Sequence, residues 1–266
     1  MKQRKITAVI AARFKKTSHY LQLSMVNFEE ESIHHFRTEI KKLRAFLHLL
    51  NGGLTQKGRL RISKKIKTVY RFAGSIRNIQ LHQKAVNEFI SDSGDRPPLN
   101  YIGALGNQLR YQQEMATAFL LPAKQLAWRD VVRGDVPRSA EKNCSKKFME
   151  NKAADFKLLL TTLTKDESVH SVRKLLKDIL YNWKYVKAYK KLLPPVISCK
   201  KEIEALGERL GDFCDKTTGI QFLELYLTGN NNEDENSTLQ KMVAQWRVEK
   251  ETMRSGLSER LHHNPA

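Results

Sequence analysis

The stretch Ser32-Ile33-His34-His35-Phe36-Arg37-Thr38-Glu39-Ile40-Lys41-Lys42-Leu43-Arg44-Ala45-Phe46-Leu47 decides how this chain is read. A helix advances about 100° per residue, so steps of three, four and three keep His34, Arg37, Lys41 and Arg44 on one stripe. The apolar residues Ile33, Phe36, Ile40, Leu43 and Leu47 follow the same period beside them. One face is built for a core and the adjacent face for an extended anion. Ser32 is the expected N-cap, and Asn51-Gly52-Gly53 the expected stop.

The layout occurs a second time. His170, Arg173 and Lys177 repeat the cations, with Ser168 as expected cap and Val169, Val172, Leu176, Ile179 and Trp183 as the apolar face. Lys184 extends this stripe where His48 extends the first. His34 to His170, Arg37 to Arg173 and Lys41 to Lys177 are each 136 residues apart, and Asn78 to Asp215 is 137. A constant offset predicts an internal duplication. Ala73-Gly74-Ser75-Ile76-Arg77-Asn78 and Leu210-Gly211-Asp212-Phe213-Cys214-Asp215 are its later landmarks, each with a Gly expected to break one helix before the next.

Helical periodicity runs almost throughout the 266 residues, and no strand signature is present. The predicted helices are 3–25, 32–50, 57–73, 76–90 and 99–121, then 139–162, 168–192, 198–210, 213–228 and 237–260. Pro97 and Pro98 cannot continue a helix, and Gly94 favours a turn before them. The expected fold is all-α: residues 1–98 with 99–121 form a first repeat, 122–138 a linker, and 139–266 a second repeat.

These residues resemble the CHAD domain, an α-helical domain named for its histidines. Its first repeat reads roughly His-x-x-Arg-x-x-x-(Lys/Arg)-x-Leu-Arg followed by Leu-Gly-x-x-Arg-Asp. Its second reads His-x-x-Arg-x-x-x-Lys with Arg-Tyr and Leu-Gly-x-x-Asn-Asp. This chain supplies His34, Arg37, Lys41, Leu43, Arg44, Gly74 and Arg77, then His170, Arg173, Lys177, Tyr181, Leu210, Gly211 and Asp215. It departs from the pattern at Ala73, Asn78, Leu180 and Cys214, which makes the second stripe the weaker one. The resemblance implies two helical bundles of about four to five helices each, related by a pseudo-two-fold axis. It further implies a central basic surface that binds inorganic polyphosphate. The expected contacts are His34, Arg37, Lys41, Arg44 and Arg77 from one half and His170, Arg173, Lys177, Tyr181 and Lys184 from the other, with Lys42, His48, Lys64 and Arg71 as a flank. Lys57 and Arg61 fall on the same line as Lys64 and Arg71.

Charge agrees with a polyanionic partner. Lys and Arg number 47 against 28 Asp and Glu, a net charge of +19; residues 1–98, with 20 cations against 7 anions, carry +13 of it. Polyphosphate has no bases to read, so recognition rests on spaced charge: Arg supplies forked donors and Lys point charges. Protonation of His34 and His170 by bound phosphate predicts affinity rising as pH falls from 8 to 6. Nucleic acid is the alternative partner, although the stripes lack the aromatic platforms such binders add. A phosphate-processing enzyme is the further alternative. The chain has no Gly-rich phosphate loop, and Glu202-Ile203-Glu204-Ala205-Leu206 lacks the Lys of the Glu-x-Glu-x-Lys motif in triphosphate-tunnel domains often fused to CHAD domains. No metal or cofactor is expected, since Cys144, Cys199 and Cys214 are scattered. Without a membrane span or signal-peptide core, the expected location is cytoplasmic, in association with polyphosphate granules.

Overall fold

The computed structural model describes residues 1–52, 58–120, 131–140, 143–229 and 233–262. Among these are eight α-helices: α1 (Gln3–Asn27), α2 (Glu30–Asn51), α3 (Lys64–Ser93), α4 (Leu99–Leu120), α5 (Cys144–Leu160), α6 (Asp166–Val186), α7 (Lys200–Leu227) and α8 (Glu233–His262). Gly53, Lys57, residues 122–130 of the expected linker and 230–232 lie outside the described residues.

The all-α expectation holds, with four helices in each half. Two single helices replace two predicted pairs, however. α3 runs without interruption through Gly74, and α7 through Gly211. Glycine inside a helix costs about 1 kcal/mol relative to alanine, which is why both positions read as breaks. Intrahelical hydrogen bonding and burial on both sides override that local cost. The two glycines instead lie where basic side chains of α2 and α6 cross these helices.

Other boundaries move for local reasons. α2 begins at Glu30, so Ser32 is not its cap but lies within the first turn, where its hydroxyl donates to Glu29 Oε2 at 2.9 Å. α6 begins at Asp166, and buried Ser168 shares a 2.8 Å hydrogen bond with Thr162 rather than capping. The α3 start is capped by Ser63, whose Oγ accepts from Ile66 N at 3.3 Å. α3 ends at Gly94, whose φ of 67° is the left-handed conformation that glycine adopts without penalty. The absence of strands needs one correction. β1 (Arg61–Ile62) pairs antiparallel with β2 (Val132–Arg133), Arg61 opposite Arg133 and Ile62 opposite Val132. This ribbon occupies residues assigned to a helix from 57, so α3 starts only at Lys64.

Two large apolar cores stand end to end, and α3 and α7 pass through both. The first gathers Ile6 and Ile10 of α1, Phe36, Leu43 and Leu47 of α2, Ile66 and Val69 of α3, Phe148 and Phe156 of α5, Val172 and Ile179 of α6, and Leu206 and Phe213 of α7. The second joins Ile79 and Val86 of α3 to Tyr101 of α4, Leu223 of α7 and Met242 and Trp246 of α8. Helices of both halves therefore share each core.

The halves meet along α2 and α6. Asn182, buried in α6, donates to Ala45 O of α2 at 2.7 Å and to Asp178 O at 3.0 Å. One helical turn away, Asp178 Oδ2 receives His48 Nδ1 of α2 and Lys152 Nζ of α5, both at 2.9 Å. Burial opposes ionisation of Asp178, but the His48 hydrogen bond and the Lys152 charge prevail and hold its carboxyl below the usual range. This polar seam, with Asn182 and Asp178 buried and His48 exposed at its edge, fixes how the two basic stripes lie against each other.

Candidate anion-binding site

Helix periodicity puts Arg37, Lys41 and Arg44 on the α2 flank nearest α6, and Arg173 and Lys177 on the α6 flank nearest α2. The Arg37 guanidinium donates to Tyr70 O at 2.9 Å and lies 4.5 Å from the centroid of the Tyr70 ring. Gly74, one turn on in α3, is its seat: a Cβ there would stand 2.3 Å from Arg37 Nη1. The second half has a looser counterpart, in which a Cβ would make only ordinary contact. A Cβ on Gly211 would lie 3.4 Å from Arg173 Nη2, and one on Gly207 would lie 3.5 Å from Lys177 Nζ. The glycines that resemble helix breaks in sequence are the places where basic side chains cross a neighbouring helix.

Electrostatics confirm that these cations crowd one another. Burial, then the charges of Arg37, Arg173, Arg44 and Lys177, push the Lys41 ammonium down to about 7. Arg37 is also lowered by burial, with Arg173 and Arg44 acting the same way. Lys177 is lowered by burial and Arg173, partly offset by Glu208 and Glu204. Arg37, Lys41, Arg44, Arg173 and Lys177 have no ion-pair partner among the described residues. The Nε atoms of Arg44 and Arg173 are buried without a hydrogen-bond partner. Buried donors without acceptors are costly, and this group presents two.

His34 and His170 stand at the outer end of each stripe, exposed. Burial of part of the ring and nearby cations hold both below the ordinary histidine value: Lys41, His35 and Arg37 act on His34, and Lys174, Arg173, Lys41 and Arg44 on His170. Cys214 Sγ lies 3.6 Å from His170 Nδ1, and burial raises its thiol to about 11. Tyr181 sits between the stripes, its hydroxyl raised chiefly by burial, with Arg173 and Arg44 opposing the shift.

The remaining expected residues separate from this group. Arg77 ion-pairs with Glu30 of α2. Lys42 Nζ donates to Glu39 Oε1, while Arg13 holds Oε2, both at 2.8 Å. His48 belongs to the Asp178 seam. Lys184 Nζ rests 4.7 Å from the centroid of the Tyr185 ring. Lys64 is exposed in the first turn of α3, and Arg71, also exposed, lines a separate cavity beside Arg44. Arg61 is in β1 rather than on a helical line with Lys64.

Sequence reading missed Tyr70, whose backbone oxygen and ring steady Arg37, and the seat function of Gly74, Gly207 and Gly211. The glycines carried a signal, being helix-disfavouring residues inside strongly periodic segments; Tyr70 carried none. Asp215, a landmark of the second repeat, is a carboxylate that lies within the field of the group. Burial raises it above the usual carboxylate range, while Arg173, Lys41 and Arg77 pull it down.

A family description matches the sequence: the CHAD domain model aligns with residues 8–224. The chain belongs to the CHAD domain family. Among solved structures, this CHAD domain is similar to PptA from Streptomyces chartreusis, with a TM-score of 0.70 at 14% identity, covering 98% of this chain and 99% of that one. It is also similar to the CHAD domain from the plant Ricinus communis, with a TM-score of 0.65 at 14% identity, covering 97% and 91%. Among curated proteins, none matches the sequence. At this identity the likeness is one of fold, so residue roles in this CHAD domain rest on its own geometry. No helix among the described residues is long and apolar enough to cross a membrane.

Proposed function

We propose that this CHAD domain binds inorganic polyphosphate along the α2–α6 seam. Arg37, Lys41 and Arg44 contact the polymer from one half, and Arg173 and Lys177 from the other. His34 and His170 stand at its edge, and Tyr181 donates between the stripes. The observation that carries the reading is five converging cations without a carboxylate partner, including two buried guanidinium Nε atoms that lack acceptors. Phosphate oxygens would satisfy both the charge and the donors. The resemblance of the His-x-x-Arg-x-x-x-Lys pair to the family's polyphosphate-binding pattern supports the same polymer, and recruitment to polyphosphate granules is part of the proposal. Arg77, Lys42, His48 and Lys184 act through packing or background charge. The chemistry is recognition of a charged chain, so the proposal is a binding module, not an enzyme.

The test is competition at physiological salt among long-chain polyphosphate, single-stranded RNA and duplex DNA. Polyphosphate should win at equal charge concentration, and affinity should fall steeply with added salt, as in counterion release from nucleic acids. Charge-assisted hydrogen bonds contribute about 1.5–3 kcal/mol each, so Arg37→Glu with Lys41→Glu should weaken binding by roughly a hundredfold or more. Displacement by RNA or DNA would favour the nucleic-acid alternative, and wild-type affinity in the double variant would move the site elsewhere.

A further inference from the structure

Beyond Arg44, the first stripe opens into a cavity of about 540 Å³ between α2, α3 and β1. Its floor is apolar, formed by Ile40, Leu47, Leu60 and Ile62, and its wall carries Arg44, His48, Arg59, Arg61, Lys67 and Arg71. Among the described residues, no aspartate or glutamate lines it. Only His48 has a carboxylate partner, Asp178, among the described residues; the other five have none. Arg59, Arg61, Lys67 and Arg71 are exposed at the rim, while Arg44 reaches in from the α2–α6 seam.

Two features mark this as a built site rather than a solvated charged face. First, Asn51 at the end of α2 clamps the rim: its Nδ2 donates to Leu60 O and its Oδ1 accepts from Leu60 N, both at 2.9 Å. That clamp fixes the backbone between Arg59 and Arg61. Second, the ribbon places Arg61 directly opposite Arg133, with both side chains on the exposed face and Ile62 and Val132 buried beneath. Like charges directly opposite across two strands are destabilising, and a two-residue ribbon has little else to offset them. An anion lying over the pair would remove the repulsion.

We propose that this cavity is a second subsite for the same polyphosphate chain, which leaves the α2–α6 seam over Arg44 and continues across Arg61, Lys67 and Arg71. The subsite rests on the polyphosphate reading above and adds a path to it. Arg44 is the shared residue, with its buried Nε between the two. A chain long enough to span both subsites gains the second set of contacts at the high effective concentration set by the first; a short one does not.

The experiment measures binding of long-chain polyphosphate and of tripolyphosphate, at several salt concentrations, to four proteins. These are the wild type, Arg59→Ala/Arg61→Ala/Arg71→Ala, Arg37→Glu/Lys41→Glu, and a control with the same net charge as the triple variant, Lys84→Ala/Lys146→Ala/Arg247→Ala. All three residues of the triple variant are exposed and Arg61 faces Arg133, so its melting temperature should match or exceed that of the wild type. It should bind the long chain about tenfold more weakly and with a shallower salt dependence, while tripolyphosphate affinity changes less than about twofold. The control should behave as the wild type. Unchanged long-chain affinity in the triple variant would overturn the subsite alone, as would an equal loss for both ligands or an equal loss in the control. Wild-type affinity in Arg37→Glu/Lys41→Glu, or no binding by the wild type, would instead overturn the underlying reading and the subsite with it.

Discussion

Lys41 is the residue whose environment departs furthest from what its position in a motif suggests. A lysine in an unfolded chain titrates at about 10.4, whereas in the folded protein Lys41 titrates at about 7. Between those values the unfolded chain holds a proton that the folded one lacks, so this residue makes folding more favourable as pH rises from about 7 to about 10. A polyanion favours the charged form and reverses the preference. Binding at pH 8 should therefore take up protons, measurable by calorimetry in buffers of different ionisation enthalpy, and affinity should fall from pH 7 to 9. Lys41→Arg should abolish the uptake; equal uptake in wild type and variant would assign the proton elsewhere. The histidine response expected from sequence moves lower, because burial and neighbouring cations hold His34 and His170 below their ordinary value. The cations were legible in the sequence since a helix converts spacing into direction. Their carboxylate partners were not: Glu30 reaches Arg77 and Asp178 reaches His48 only through the fold.

Among the elements, α3 and α7 teach most. Propensity speaks against glycine within a helix, yet both helices are continuous, and at Gly74 the missing Cβ admits Arg37 from α2. Gly74→Ala separates the two effects. The Cβ would collide with Arg37 Nη1, the mobile end of a long side chain, so the helix should keep its stability or gain up to about 1 kcal/mol. Arg37 would be displaced from Tyr70, and polyphosphate affinity should fall. Denaturant unfolding and a binding titration on one sample check both; lowered stability with intact affinity would mean that Gly74 serves only packing. The equivalent change at Gly211 meets Arg173 at ordinary contact distance and should be milder. The β1–β2 ribbon was illegible for a different reason. Two residues are too few for an alternating pattern, and their pairing joins positions about seventy residues apart.

For the molecule as a whole, the all-α architecture could be read from the helical periodicity that runs almost throughout the chain. The sharing of each apolar core by helices of both halves could not, since periodicity tells which face is buried and not against what. The halves are also unequal. Arg44 continues the first stripe toward the side cavity, while Leu180, at the corresponding offset, packs against the core. Alanine at Arg37, Lys41 or Arg44 should therefore cost more polyphosphate affinity than alanine at Arg173 or Lys177. An alanine series measured at one salt concentration decides this, and equal or reversed losses would leave the halves functionally equivalent.

The polar seam of Asn182, Asp178, His48 and Lys152 has a consequence for how binding proceeds. It clamps α2 to α6 without using any of the five converging cations, so their mutual repulsion is overcome during folding and not on encounter with the polymer. Under the proposed function, association would require no rearrangement of that seam, and the entropy lost on complex formation would belong mainly to the flexible polymer.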